Sequence, residues 1–454
     1  MNIKLQISVL AIGPADLENL IVSTAKDYQE IDMDYVTYSL EDDVASIVEK
    51  HEQNYDVLFF AGSLPYTITK EQLNLKKRMV YTEFKGTALY RVLFQLIRES
   101  KADLLSGNLN LSIDNLQKFQ IEECFDELDI QYQKLFYYEG RLLQDIDNIV
   151  EFHHELWKSK KTDIAITCVG SVYEKLKELG VPACRIIPTR TSIRTALDKV
   201  LMEGINLRHL QSQVATGIIQ WNHTENFGQL TEYQFQRKIL DLKNIMINYG
   251  EKLQAIVKWT DHKQELKFIT TRGALQFEKN LSSNEMKLLE EIYRKTEIIP
   301  RMGIGIGQTT NEAEIYAREA LAKSPMDKLV FYVRDIDGVV HGPIGGDNPL
   351  SYSTRNNQPQ LNAISKQANL SGSTINRILS FSNSKGEYFT SSDLATGLGI
   401  SIRSARRILH KLEQAELAEV TGEEQPIARG RPRQIYSLAR LHRAVNIGQN
   451  PQQI

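Results

Sequence analysis

The sequence predicts a multidomain protein of class α/β plus α+β, and three observations predict it. Strand-like and helix-like segments alternate through residues 1–208, the rhythm of parallel sheets with helical crossovers. Residues 209–345 break that rhythm by placing a hairpin between two helices. Residues 361–454 are basic, rich in helix signals, and end in another hairpin. Length agrees, since 454 residues suggest about three domains of roughly 150 residues each. Apolar residues at 42% and charged residues at 24% exclude wholesale disorder and a fibrous repeat.

In the first block, residues 3–13 read as strand, 14–28 as helix, 32–40 as strand and 41–54 as helix. Asp56 to Gly62 follows as a strand that is almost entirely apolar, as a strand buried on both faces must be. After another strand–helix pass come a strand over 163–170, a helix, a strand over 184–188, and a helix from about 191. The two halves, near 1–100 and 130–208, imply two lobes with a cleft. In parallel sheets, ligands sit at the carboxyl ends of strands, where helix N-termini offer free N–H groups to anions. The candidate ligand positions are therefore Gly13, Gly62, Ser63, Tyr66, Gly170, Ser171, Thr189, Arg190, Thr191 and Ser192. Thr191 and Ser192 are equally ordinary helix caps. Arg190 and Arg194 could clamp a carboxylate or phosphate, or serve as surface ion-pair partners. His153 and His154 are adjacent on a helix and point apart, which disfavours a shared metal site.

The second block reads strand (214–221), helix (232–249), strand (253–259), strand (265–271), helix (282–296), strand (301–307), helix (311–323), strand (328–334). That order places a hairpin inside a ferredoxin-like sheet. Residues 342–360 run Gly-Pro-Ile-Gly-Gly-Asp-Asn-Pro and then Ser, Thr, Asn, Gln and Pro, a linker composition that sets 346–360 as the expected linker between domains.

Charge is uneven. Residues 361–454 hold twelve Lys and Arg against seven Asp and Glu, a surplus of five, which leaves residues 1–360 at −8 within a net charge of −3. Any nucleic-acid contact must therefore come from a local patch. In this segment one helix opens at Ser391 or Ser392, and a second starts after the N-cap Ser401. On the second helix Ala405, Ile408, Leu409 and Leu412 share a face that can bury, while Arg403, Ser404, Arg407 and Lys411 stay available. A hairpin follows, with Arg429-Gly430-Arg431-Pro432-Arg433 in its loop. Residues 363–379 have a similar helix–turn–helix rhythm, either a second DNA-reading unit or leading helices of this domain.

Thr390 to Leu409 resembles the two central helices of the winged helix-turn-helix of bacterial transcription regulators, and Gly430 to Leu438 resembles its wing. The resemblance covers about 65 residues. It implies promoter DNA as partner, contacted by Ser401, Arg403, Ser404, Arg406, Arg407 and Lys411 from the helix and by Arg429, Arg431 and Arg433 from the wing. Arginine chemistry suits both places, forking onto guanine edges or phosphates.

Arg301 to Leu321 resembles the late strand and helix of diguanylate cyclase and class III nucleotide cyclase domains. The family holds metal with carboxylates after its first strand and in the hairpin. Here those places read Trp221-Asn222-His223 and Thr260-Asp261-His262-Lys263-Gln264-Glu265, without a matched set. The expectation is a degenerate, GGDEF-like domain without catalysis, not an enzyme. The two-lobed pattern of the first block resembles periplasmic-binding-protein-type sensory domains of bacterial regulators.

Together these readings predict a ligand-responsive, sequence-specific DNA-binding transcription regulator. Its domains are a sensor (1–208), a cyclase-like domain (209–345), a linker (346–360) and a winged helix (361–454). The expected effector is a small anionic metabolite or nucleotide, with no metal or other cofactor. A homodimer is expected, because one recognition helix covers few base pairs and operators are usually read by two copies on a two-fold axis. The middle domain is the candidate interface. Three cysteines, Cys124, Cys168 and Cys184, are too few for a disulfide framework and fit a reducing cytoplasm. No apolar run is long enough to span a bilayer. The alternatives are a nucleotide cyclase or hydrolase, and an adaptor whose winged helix binds protein.

Overall fold

A computed structural model describes residues 6–38, 43–73, 75, 77–84, 86–98, 110–116, 118–130, 132–138, 146–221, 231–260, 264–276, 283–325, 327–346, 349–354, 359–386, 388–424 and 432–446. The chain divides into two compact units, Met1–Arg208 and His209–Ile454.

The first unit alternates strand and helix throughout. Its first half runs β1 (Ile7–Gly13), α1 (Ala15–Ala25), β2 (Ile31–Thr37), α2 (Asp43–His51), β3 (Val57–Phe60), α3 (Ser63–Gln72), β4 (Arg78–Tyr81) and α4 (Gly86–Arg98). Its second half runs β5 (Asn110–Ile113), α5 (Lys118–Glu127), β6 (Lys134–Tyr137), α6 (Ile146–Lys158), β7 (Ile164–Thr167), α7 (Gly170–Glu178), β8 (Ala183–Arg185) and α8 (Arg190–Gln211). The strands form two four-stranded sheets, ordered β2-β1-β3-β4 and β6-β5-β7-β8. Every pairing in both is parallel. The apolar runs explain the central places: all four residues of β3 and all four of β7 are buried.

The second unit opens with β9 (Val214–Gln220), α9 (Glu232–Lys252), β10 (Ile256–Thr260), β11 (Glu265–Thr271), α10 (Ser283–Thr296), β12 (Arg301–Gly307), α11 (Thr310–Leu321), β13 (Phe331–Arg334), β14 (Val339–Ile344) and β15 (Leu350–Ser353). One seven-stranded sheet results, ordered β10-β11-β9-β12-β13-β14-β15. The Gly-x-Gly-x-Gly of β12 is a packing device. A Cβ at Gly303 would lie 2.2 Å from Leu321 N, and one at Gly305 would lie 2.1 Å from Ala313 O. Only glycine lets the α11 backbone rest directly on this strand. Glu265, at the start of β11, is buried, and Arg318 of α11 forks onto both its oxygens at 3.1 Å.

Here the structure corrects the expected linker at 346–360. Residues Leu350–Ser353 form β15, paired antiparallel with β14, and Leu350 and Tyr352 are buried on one face. Gly342-Pro343 hid the preceding strand, because proline reads as a strand breaker. The sheet accommodates it at a register irregularity between Phe331 and Val333 of β13.

The chain continues with α12 (Pro359–Gln367), α13 (Gly372–Lys385), β16 (Tyr388–Thr390), α14 (Ser391–Leu398), α15 (Ile402–Gln414), β17 (Glu419–Glu424), β18 (Arg433–Ser437) and α16 (Ala439–Asn446). The strands make a three-stranded sheet, β16-β18-β17. These helices do not float on a tether. Val340, Leu350 and Tyr352 share one buried core with Phe381, Leu394 and Leu409, and Asn376 Nδ2 donates to Ser353 O at 2.8 Å.

Candidate functional site

Two places in the chain gather functional side chains. The first is a cavity of about 730 Å³ in the first unit, at the carboxyl ends of strands from both parallel sheets. Three helices begin on its wall: α1 after Pro14, α3 after Gly62 and α7 after Val169. None of these three N-cap residues has a side-chain acceptor, and none makes a side-chain cap. In the second unit, by contrast, Thr231, Thr309, Ser371, Thr390 and Ser401 each cap their helices by side chain. The cavity therefore faces three helix ends whose first N–H groups lack a side-chain cap and whose dipoles favour negative charge.

Arg185, at the end of β8, adds a full positive charge. Its Nη1 donates to Asp16 Oδ2 at 2.5 Å, and its guanidinium lies against the start of α7. A Cβ at position 170 would stand 3.0 Å from Arg185 Nη2, so Gly170 makes that approach feasible. A guanidinium beside a helix N-terminus is like against like, and Asp16 offsets part of it. Arg185 Nε is buried without a hydrogen-bond partner among the described residues. Ser63, Ser171, Asn115 and Glu174 add polar lining, and Phe84 and Tyr173 add aromatic surface.

The rear wall is held by a buried relay. Asp114 Oδ1 accepts from Cys168 N at 3.2 Å, while Asp114 Oδ2 lies 3.1 Å from His153 Nε2. His153 Nδ1 meets Ser112 Oγ at 2.7 Å. Burial, with Asp114 adding to it, pushes the Cys168 thiol well above its usual range. His154 turns away and stacks on Trp157. Among the described residues, no three His, Cys, Asp or Glu side chains are grouped to hold a metal ion.

Of the ten sequence-derived ligand positions, Gly62, Ser63, Gly170 and Ser171 line this cavity. The others do not. Gly13 packs under Tyr35, whose hydroxyl donates to Pro14 O at 3.0 Å. Tyr66 turns onto Phe60 and Tyr81 instead. Thr189 Oγ1 accepts from Ser192 N at 3.2 Å, which is helix capping; Arg190 and Thr191 are exposed and Ser192 is buried. Arg194 pairs with Asp27 on the surface at 3.0 Å. Sequence reasoning missed Arg185 and Asp16. The available signal was a cation at the carboxyl end of a strand, the same rule that selected the glycines.

The second place is helix α15. Gly399 ends α14 in the left-handed conformation (φ 62°), Ser401 accepts from Ser404 N at 3.1 Å, and α15 starts at once. Ala405, Leu409 and Leu412 are buried, and the opposite face carries Arg403, Arg406 and Arg407, all exposed. Their spacing (i, i+3, i+4) puts the three guanidinium groups side by side. None of the three side chains makes a hydrogen bond or ion pair among the described residues. Lys411, expected to stay available, instead donates to Asn369 O at 2.7 Å and so ties α15 to the turn before α13. Arg433 is exposed at the start of β18, across the hairpin from Glu424. Arg429 and Arg431 lie outside the described residues, as do Asn222, His223 and Asp261 to Lys263.

No family model matches the chain, and no curated protein matches it. Solved structures with some similarity include an NtrC family transcriptional regulator from Clostridium acetobutylicum, at 15% identity and TM-score 0.35 over 45% of this chain and 99% of that one. The ABC domain in complex with L-Trp from Streptococcus pneumonia aligns at 10% identity and TM-score 0.29 over 44% of this chain and 85% of that one. The guanylyl cyclase Cya2 aligns at 11% identity and TM-score 0.17, over 50% and 91%. At these scores the likenesses carry no argument, and function is read from the sites. No helix among the described residues is long and apolar enough to cross a membrane.

Proposed function

We propose that the chain is a ligand-responsive, sequence-specific DNA-binding regulator of transcription. The observation that carries this reading is the two-faced helix α15, with a buried apolar face and three exposed arginines, directly after the tight turn that ends α14. In it α13, α14 and α15 are the three helices of a winged helix, and β17 and β18 form its wing. Helix α15 enters the major groove, and Arg403, Arg406 and Arg407 reach base edges or phosphates. Arg429, Arg431 and Arg433 serve the wing on sequence grounds.

In the same reading, the first unit is a two-lobed sensor of the periplasmic-binding-protein kind. Its effector is a small anion held by the uncapped starts of α1, α3 and α7 and by Arg185. The seven-stranded domain is a cyclase relative without turnover. The capture of both Glu265 oxygens by Arg318 supports this, because that carboxylate is not free to hold a metal.

A mobility-shift titration with duplex DNA from upstream of the coding sequence, repeated at several salt concentrations, tests the reading. Binding should be tighter than to scrambled duplex and should weaken steeply with salt. Equal affinity for both duplexes would remove sequence-specific regulation, and the absence of binding at low salt would leave the basic helix to a protein partner.

A further inference from the structure

Helix α9 packs on the seven-stranded domain through Leu242, Ile245, Met246 and Tyr249, all buried. Its outer face does something unusual for a solvated helix. Tyr233, Leu240 and Ile247 recur every seven residues and are 77%, 59% and 55% exposed. A seven-residue step drifts only about 20° around a helix, so the three side chains form one straight stripe. Arg237, Asn244 and Glu251 fill the stripe between and beyond them, and all three are exposed. Neither the Arg237 nor the Glu251 side chain has a hydrogen-bond or ion-pair partner among the described residues. A capping box at Thr231 and Gln234 fixes the start of the helix, so the stripe stands on an ordered element.

The order of residues along the stripe says what fits it. Arg237 and Glu251 lie equally far on either side of Asn244. A second α9 laid antiparallel, with a two-fold axis at Asn244, sets Arg237 of each copy against Glu251 of the other. It also brings Leu240 of each copy beside the other's Ile247, and the two Asn244 amides meet on the axis. A parallel copy would set Arg237 against Arg237 and Glu251 against Glu251. The pattern is thus complementary to itself in one direction only, which is what an isologous interface requires.

We propose that the protein self-associates through α9, as an antiparallel pair with Asn244 on the two-fold axis. This rests on the exposed stripe and its charge order, independently of the ligand and DNA readings above. Leu240 and Ile247 supply the apolar contact, and Arg237 with Glu251 sets direction and register.

Light scattering and sedimentation of the full chain over a range of concentrations test it. The wild type should weigh twice the chain mass, and Leu240→Glu should weaken the dimer at least a hundredfold with an unchanged circular dichroism spectrum. Arg237→Glu and Glu251→Arg should each weaken it about tenfold or more by placing like charges face to face. The double variant Arg237→Glu with Glu251→Arg should recover the dimer. A monomeric wild type would assign the stripe to another occupant and overturn the proposal, as would a dimer indifferent to Leu240→Glu. Charge variants without effect, or a double variant that fails to recover, would overturn the antiparallel pairing.

Discussion

Arg185 and Asp16 meet at 2.5 Å although 169 positions separate them in sequence, and the ion pair joins the end of a strand in one parallel sheet to the first turn of a helix that follows a strand of the other. The pair stands on the wall of the cavity, beside the starts of α1 and α7. An incoming anion would meet Arg185 in competition with Asp16, so ligand binding and the contact between the two sheets are linked through one guanidinium.

Arg185→Ala should therefore weaken anion binding with little effect on the fold. A thermal-shift screen of small carboxylates and phosphates finds the wild-type effector, and calorimetry then compares the variant. A loss of tenfold or more is expected, with Arg185→Lys intermediate, since ammonium lacks the planar fork. Asp16 is half exposed, so the pair itself adds only about 0–1 kcal/mol to stability. Unchanged affinity in Arg185→Ala would move the anion elsewhere.

For DNA, Arg403→Ala combined with Arg407→Ala should cost roughly 1–3 kcal/mol for each of the two arginines that reads a base. The salt dependence of binding should flatten for each that holds a phosphate. Lys411→Ala should act differently. Its ammonium is held by Asn369 O, so the main effect should fall on the seating of α15, visible as a lower melting temperature. If the double arginine variant binds upstream duplex as tightly as wild type, α15 is not the reading helix.

Gly305→Ala should be among the most damaging single changes in the second unit. The added methyl would stand 2.1 Å from Ala313 O and 2.2 Å from Ala317 N, which are backbone atoms that cannot rotate away. Overpacking of this kind costs about 1–3 kcal/mol and sometimes more. Chemical denaturation of the variant measures it, and a cost below about 0.5 kcal/mol would show that α11 can lift off β12 freely.

How far the sequence reveals this structure depends on how local each signal is. Val57 to Phe60 announces a buried strand within four residues, and Ser401 with the apolar rhythm after it announces α15. Gly62 and Gly170 lie at strand-to-helix turns, so the rule about carboxyl ends finds them. Tyr66 obeys no such rule: it sits inside α3, where helix geometry turns it toward Tyr81. Leu350–Ser353 is hidden because the glycine- and proline-rich composition before it reads as linker, while its evidence is the pairing partner β14. The Arg185–Asp16 pair and the core shared by Tyr352 and Phe381 exist only after the chain has folded.

Glu285 offers a pH test of the second unit. It is buried, and burial raises its carboxyl above the usual range, although its own backbone N–H and the Tyr249 hydroxyl, 3.2 Å away, favour the charged form. A raised folded-state value means the native protein binds more protons than the unfolded chain. Stability then falls as pH climbs from the ordinary glutamate range through the raised value, and the full penalty is present above it. Each pH unit of elevation is worth about 1.4 kcal/mol. Glu285→Gln keeps an acceptor for Tyr249 and removes the charge. It should raise the melting temperature at pH 8 and leave it nearly unchanged at pH 4; a stabilisation equal at both would refute the assignment.

The last prediction concerns how the effector is heard. The core that runs from Val340, Leu350 and Tyr352 into Phe381 and Leu409 makes the seven-stranded domain and the basic helices one packed body. A change felt by the sheet can therefore reach α15 through contacts such as Asn376 to Ser353, without depending on a slack tether. The second unit should then bind DNA alone. Deleting residues 1–208 should leave affinity for upstream duplex within a few-fold of the intact chain and remove any response to the anion. In the intact protein the effector can shift DNA affinity by no more than its own difference in affinity for the two states. Reciprocity then requires saturating duplex to change effector affinity by the same factor. Calorimetry of the effector with and without duplex, set against mobility shifts with and without the effector, measures both factors. Unequal factors would exclude simple two-site coupling. A truncated protein that still answers the anion would place the sensor within residues 209–454, and the cavity at Arg185 would need another purpose.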